Sequence, residues 1–304
     1  MLGIFLPRRG ATRHNSPNNS PGDSAMAIEP LAIGVCSWSL QVTSVPELKG
    51  FMDRLGIDVV QIACGDPHHA SWAEGETLPA AVLASGLRLS GTMLGFPGED
   101  YTTPHTIEKS GGFGDPATRP ERLERCRWGL RRTKELGLSD IMLHAGFIPA
   151  VGDAGRTPFL DTLAQVSDLA NRDGITVAFE TGQESAALLR VTLDELKSPN
   201  LKVNFDPANM LLYDMDDPLA VLDLLAPDIR SVHLKDANRP AVKGTWGEEV
   251  PLGRGQTNTR EFVRALRRVG YRGPLCIERE AGSQEERFRD IEHGVRFLRE
   301  CLAE

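Results

Sequence analysis

From residue 31 onward, short apolar runs alternate with longer amphipathic stretches along the chain. Eight runs have the length and the continuous apolar character of strands buried on both faces. They are "LAIGVCSW" (31–38), "IDVVQIA" (57–63), "LRLSGTM" (87–93), "DIMLHA" (140–145), "ITVAFE" (175–180), "LKVNFD" (201–206), "IRSVHL" (229–234) and "PLCIER" (274–279). Between them the 3.6-residue period predicts helices, among them 121–136, 158–172 and 260–269. Several helices run out at a glycine suited to a left-handed cap, as in "RLGID", "ELGLSD" and "RVGYRG". Eight strand–helix units predict a parallel sheet covered by helices and closed into a single (β/α)₈ barrel. An open doubly wound sheet would carry a Gly-rich phosphate turn after its first strand, and "GVCSWSLQ" has none.

Two connections exceed what a barrel needs. "GFPGEDYTTPHTIEKSGGFGDPA" follows strand 3 from Gly95 to about Ala117, and a second runs from Ala237 to about Asn258 after strand 7. Both leave the carboxyl ends of strands, the face on which barrels build their sites, and both are expected to be structureless lids or binding loops.

Composition narrows the function. The 304 residues suit one barrel of roughly 250 residues with extensions. A net charge of −8 excludes the basic face that DNA or RNA requires and fits a small-molecule partner. The five cysteines, Cys36, Cys64, Cys126, Cys276 and Cys301, are odd in number and form no C-x-x-C pair. Buried reduced thiols are expected, not disulfides or a structural zinc site. Residues 1–28 read as a disordered leader, with Met26 a candidate start, and 29–304 as the barrel. No run approaches a membrane span of about 20 apolar residues, so a cytoplasmic location is expected.

The informative polar residues lie at strand ends. Strand 5 ends at Glu180 and strand 6 at Asp206, while strand 7 carries His233 and strand 8 Glu278. Neighbouring strands lie about 5 Å apart, so these four side chains can converge. Carboxylates crowded into a half-buried mouth repel one another and are costly to desolvate, a conflict that a divalent cation resolves. Three carboxylates and one imidazole form a hard donor set that suits Mn²⁺ or Mg²⁺ and can accept Co²⁺ or Zn²⁺. Taken singly, each residue has an ordinary alternative: a strand-end ion pair, a helix N-cap at Asp206, a core histidine, or pairing of Glu278 with Arg279 or Arg254.

The quartet, with "HLKDANR" after strand 7, resembles the sugar isomerase/epimerase superfamily of xylose isomerase-like barrels, which includes ketose 3-epimerases and inosose dehydratases. The resemblance covers residues 31–300. It implies one catalytic divalent metal, usually manganese, held by Glu180, Asp206, His233 and Glu278. It further implies an acid/base pair in Glu180 and Glu278, and a substrate contact at Arg239, six residues after His233. The implied activity is a sugar or cyclitol isomerase/epimerase working by proton abstraction beside a carbonyl. A lyase or dehydratase on a keto-sugar or inosose would share the same enediolate, and a sugar-binding barrel without turnover is the reading from another class. A homo-oligomer is compatible with such barrels. The superfamily's apurinic endonuclease needs further metal histidines and a DNA surface, against which Asn209 and the acidic charge count.

Two positions depart from the epimerase pattern. Asn209 stands where those enzymes carry a substrate-binding histidine, and Ala186 where they carry a second glutamate. Gln183 and Glu184 are near enough to take over polar contacts. His144, after strand 4, is a candidate substrate contact or a donor to a metal ligand. His68 and His69 could line the mouth, and Trp38 could wall a sugar ring. Arg254, in the Gly-rich "PLGRG", could meet an anionic group, and Asp236 could orient His233 or cap the following turn.

Overall fold

The computed structural model describes residues 28–65 and 78–304. The leader (save Ile28) and His68 and His69 lie outside the described residues. The eight expected strands form and close on themselves: β1 (Ile33–Cys36), β2 (Val59–Gly65), β3 (Arg88–Leu94), β4 (Asp140–Leu143), β5 (Thr176–Glu180), β6 (Leu201–Phe205), β7 (Ile229–Leu234) and, as the eighth barrel strand, β10 (Leu275–Ile277). Every neighbouring pair is parallel, and β1 closes the ring by pairing with both β2 and β10.

Two shells of apolar side chains hold this arrangement together. The larger lies between the barrel and its helices and includes Phe159, Phe179, Phe205 and Phe262, all fully buried. The smaller fills the barrel axis with Cys36, Trp38, Ala63, Met142, Ala178 and Cys276. Side chains alternate along each strand, so one set packs outward against helices while the other fills the interior. All five cysteines are free and buried.

The helices expected near 121–136, 158–172 and 260–269 span Arg119–Glu135, Arg156–Arg172 and Thr259–Arg268. Gly56, Gly137 and Gly270 follow their helices with φ of 63°, 72° and 81°. The long connections are more ordered than expected. After β3, the helix Pro104–Ser110 is capped reciprocally by Thr103 and Thr106. After β7, the strands β8 (Asp236–Asn238) and β9 (Glu248–Val250) pair antiparallel. The two connections meet where the Trp246 Nε1–H donates to the Tyr101 carbonyl at 3.1 Å. Among the described residues, no helix is long and apolar enough to cross a membrane.

Candidate metal centre and cavity

The four strand-end residues converge. One potential ligand atom from each of Glu180, Asp206, His233 and Glu278 lies within 4.8 Å of the others, and all four side chains are buried. His233 Nδ1 is 2.7 Å from Glu180 Oε1, 3.4 Å from Glu278 Oε2 and 3.9 Å from Asp206 Oδ2.

Local structure explains how each group is presented. Asp206 ends β6 and caps the helix Pro207–Leu212, its Oδ1 accepting the N–H groups of Ala208 at 2.7 Å and Asn209 at 3.1 Å. The cap fixes the carboxylate and leaves Oδ2 buried with no hydrogen-bond partner. The capping and ligand readings of Asp206 therefore use different oxygens of one carboxylate. Gly182 permits this helix to approach β5: its φ is +133°, and a Cβ there would lie 2.5 Å from that of Asn209.

His233 is oriented from behind. Its Nε2 lies 2.7 Å from Gln61 Oε1, an acceptor, so that nitrogen carries a proton and Nδ1 faces the carboxylates. An unprotonated Nδ1 and a carboxylate oxygen 2.7 Å apart are two acceptors, and need a proton or metal ion between them. Burial works to raise the Glu180 carboxyl, yet the charges of His144 and His233 outweigh it and hold it at about 2. Asp206 is pushed well above the usual carboxylate range by burial and by the Glu278 and Glu180 charges, despite Lys235 nearby. An orphaned buried oxygen on a carboxyl driven toward neutrality is an arrangement that a cation would relieve. The donor set and the orphaned Oδ2 fit a divalent ion bound by these four residues.

Above the cluster opens a cavity of about 550 Å³, lined in part by Trp38, Tyr101, His144, Tyr213, Lys235 and Trp246. His144 Nε2 lies 2.8 Å from Glu180 Oε2, and the Trp38 Nε1–H donates to Glu278 Oε1 at 2.7 Å. The Glu180 charge raises His144 to about 9 against the opposing effect of burial. Asn209 lines the cavity, its side-chain oxygen 3.5 Å from Lys235 Nζ.

Other sequence candidates sit elsewhere. Arg239 is half-buried and spends its guanidinium on Asp214 at 3.0 Å and the Asp216 carbonyl at 2.6 Å, away from the cavity lining. Gln183 is buried beneath the lining, its amide donating to the Tyr213 hydroxyl at 3.3 Å. Arg254 is exposed and does not line the cavity. Asp236 binds the "PLGRG" loop through the N–H groups of Gly253, Gly255 and Thr257. Arg279 pairs with Glu249 and Asp290, not with Glu278.

Two residues of the site escaped the sequence reading. Lys235 is buried, 3.1 Å from Glu278 Oε2 and ion-paired to Glu280. Its signal was parity, since residues two apart on a strand share a face and Lys235 follows His233 by two. Gln61 is the one polar residue in "VVQIAC" and points to the barrel interior.

A closed parallel barrel with an acidic and imidazole cluster at the carboxyl ends of strands 5 to 8 defines a class of small-molecule barrel. The chain belongs to the family described as Xylose isomerase-like TIM barrel, which it matches over residues 45–301. It is similar to a ketose 3-epimerase of Arthrobacter globiformis, 26% identical over 73% of each chain. It is also similar to an L-ribulose-5-phosphate 3-epimerase of Salmonella paratyphi A, 28% identical over 55% of this chain and 59% of that one. Among solved structures, a xylose isomerase domain protein from Planctomyces limnophilus superposes with a TM-score of 0.79 at 30% identity. That match covers 90% of this chain and 97% of the other.

Proposed function

We propose that the protein is a divalent-metal-dependent isomerase/epimerase of a sugar or cyclitol, with Glu180 and Glu278 exchanging a proton with the carbon beside a carbonyl. The observation that carries this is the convergence of Glu180, Asp206, His233 and Glu278 beneath an open cavity, with Asp206 Oδ2 orphaned. The epimerase activities named for two relatives support it.

Glu180, Asp206, His233 and Glu278 would hold the ion, Mn²⁺ best matching the donor set. When bound it supplies Lewis acidity to a carbonyl and the neighbouring hydroxyl. The two glutamates stand on β5 and at the end of β10, three strands apart around the ring. A substrate between them meets a carboxylate on either face. One carboxylate takes the proton, the C–H electron pair moves into a carbon–carbon double bond, and the carbonyl oxygen takes up the charge. The other, having taken a proton from solvent water, delivers it to the opposite face and inverts the centre, while the first releases its proton to solvent and both carboxylates are restored. His144 supports Glu180, while Lys235 and Trp38 hold Glu278 in place and ionised. Lys235 Nζ also lies 3.5 Å from the Asn209 side-chain oxygen, which ties the cation to the cavity lining.

The test is turnover of a panel of ketoses and keto-inositols by protein stripped with a chelator and reloaded with Mn²⁺. Glu180→Gln and Glu278→Gln should keep the native circular dichroism and lose about 10²–10⁴-fold in kcat. Near-native rates in both variants would overturn the assignment.

A further inference from the structure

The cavity's charges discriminate between substrates that the relatives' names place side by side, a free ketose and a phosphorylated one. Beyond the ligand cluster, the described residues lining the cavity include three more carboxylates, Glu99, Glu249 and Glu280, against Lys235, Arg287 and the imidazole of His144, which pairs with Glu180 at 2.8 Å. Lys235 and Arg287 are engaged as well. Lys235 is held between Glu278 and Glu280. Arg287 donates through Nε to the Gly282 carbonyl at 3.0 Å and through Nη2 to the Glu280 carbonyl, with Glu280 and Glu249 the nearest opposing charges. Glu249 is itself shared by Arg279 and the Glu280 N–H. Among the described residues, Glu99 accepts the Gly112 N–H at 2.8 Å and a long contact from the Tyr101 hydroxyl.

A phosphate or carboxylate on a substrate needs convergent N–H donors or an uncommitted arginine fork. Among the described residues, the lining offers neither. A divalent ion does not change the balance, because three carboxylates among its four ligands leave one negative charge in excess. Aromatic rings form part of the remaining wall: Trp246 packs edge-on against Tyr213 at 4.7 Å between centroids, and Tyr101 lies 6.4 Å from His144. Such a surface suits the C–H faces of a neutral sugar or cyclitol.

We infer that the cavity selects an uncharged polyhydroxy ketone and rejects the same skeleton bearing a phosphate or carboxylate. This rests on the sugar-ketone reading above and narrows its substrate class. Anions entering a carboxylate-rimmed, low-dielectric mouth meet repulsion that no committed cation relieves.

The experiment sets free 2-ketohexoses and 2-ketopentoses against their terminal phosphate esters, using the full chain loaded with Mn²⁺. It reads kcat/KM and, for every sugar whether or not it turns over, the dissociation constant from quenching of tryptophan fluorescence. The free ketose should be favoured by at least about tenfold, and that ratio should narrow as salt rises from about 20 to about 300 mM. Glu99→Gln, which keeps an acceptor for Gly112, should also narrow it, by about two- to threefold. A phosphate ester that binds or reacts as well as the free sugar would overturn the inference, as would a ratio indifferent to both salt and Glu99→Gln. Metal-dependent turnover of phosphates alone sinks the selectivity and leaves the functional reading standing. Tighter binding of free ketoses with no turnover of any sugar does the reverse.

Discussion

The division of labour in Asp206 shows how single residues make this site. One carboxylate oxygen ends a strand and starts a helix, and the other is buried beside the quartet with no hydrogen-bond partner. The quartet could be read from sequence because each member interrupts an apolar run with a charge at the same structural place. Lys235 and Gln61 were harder to find, since each sits within a strand pattern and declares itself only by parity. Arg239, six residues past the histidine, donates to Asp214 and the Asp216 carbonyl, contacts that spacing alone does not reveal. Glu184 gives the residue-scale test. Burial raises its carboxyl to about 8, above an ordinary value of 4.5. A folded value above the unfolded one means that the native state binds the extra proton between those limits, so stability falls as pH rises through that window. Glu184→Gln removes that dependence. Its gain in unfolding free energy over the native protein should be near zero at pH 4.5 and grow to pH 8, by up to about 1.4 kcal/mol per pH unit. Parallel stability curves for the two proteins across this range would refute the assignment.

At the scale of elements, the barrel strands were clear because burial on both faces writes them as continuous apolar runs. The connections were read as structureless because short elements leave no period to detect. The helix Pro104–Ser110 has only seven residues, although Thr103, Pro104 and Thr106 spell its start. Strands β8 and β9 have three residues each, mostly polar, and their pairing depends on contacts distant in sequence. These pieces bring Tyr101 and Trp246 together over the cavity from two separate connections. Trp246→Ala removes both that hydrogen bond and the edge contact with Tyr213. It should raise KM for the substrate several-fold, roughly 1 kcal/mol of lost wall contact, with a smaller change in kcat. An unchanged KM would mean that the wall does not touch substrate.

For the whole molecule, the closed ring makes the site possible. Eight parallel strands point their carboxyl ends to one face, so residues nearly 100 positions apart, Glu180 and Glu278, approach a single imidazole. The barrel strands hold the quartet while the connections supply walls of the cavity. The central claim is that the carboxylates of this cluster remove and return a proton beside a carbonyl. Solvent deuterium incorporation tests it most directly: Mn²⁺-loaded protein and its ketose substrate are incubated in D₂O and the carbon next to the carbonyl is followed by NMR. The account predicts deuterium at that carbon in the product, lost on chelation and in Glu180→Gln or Glu278→Gln. Product that accumulates with the carbon unlabelled would contradict it.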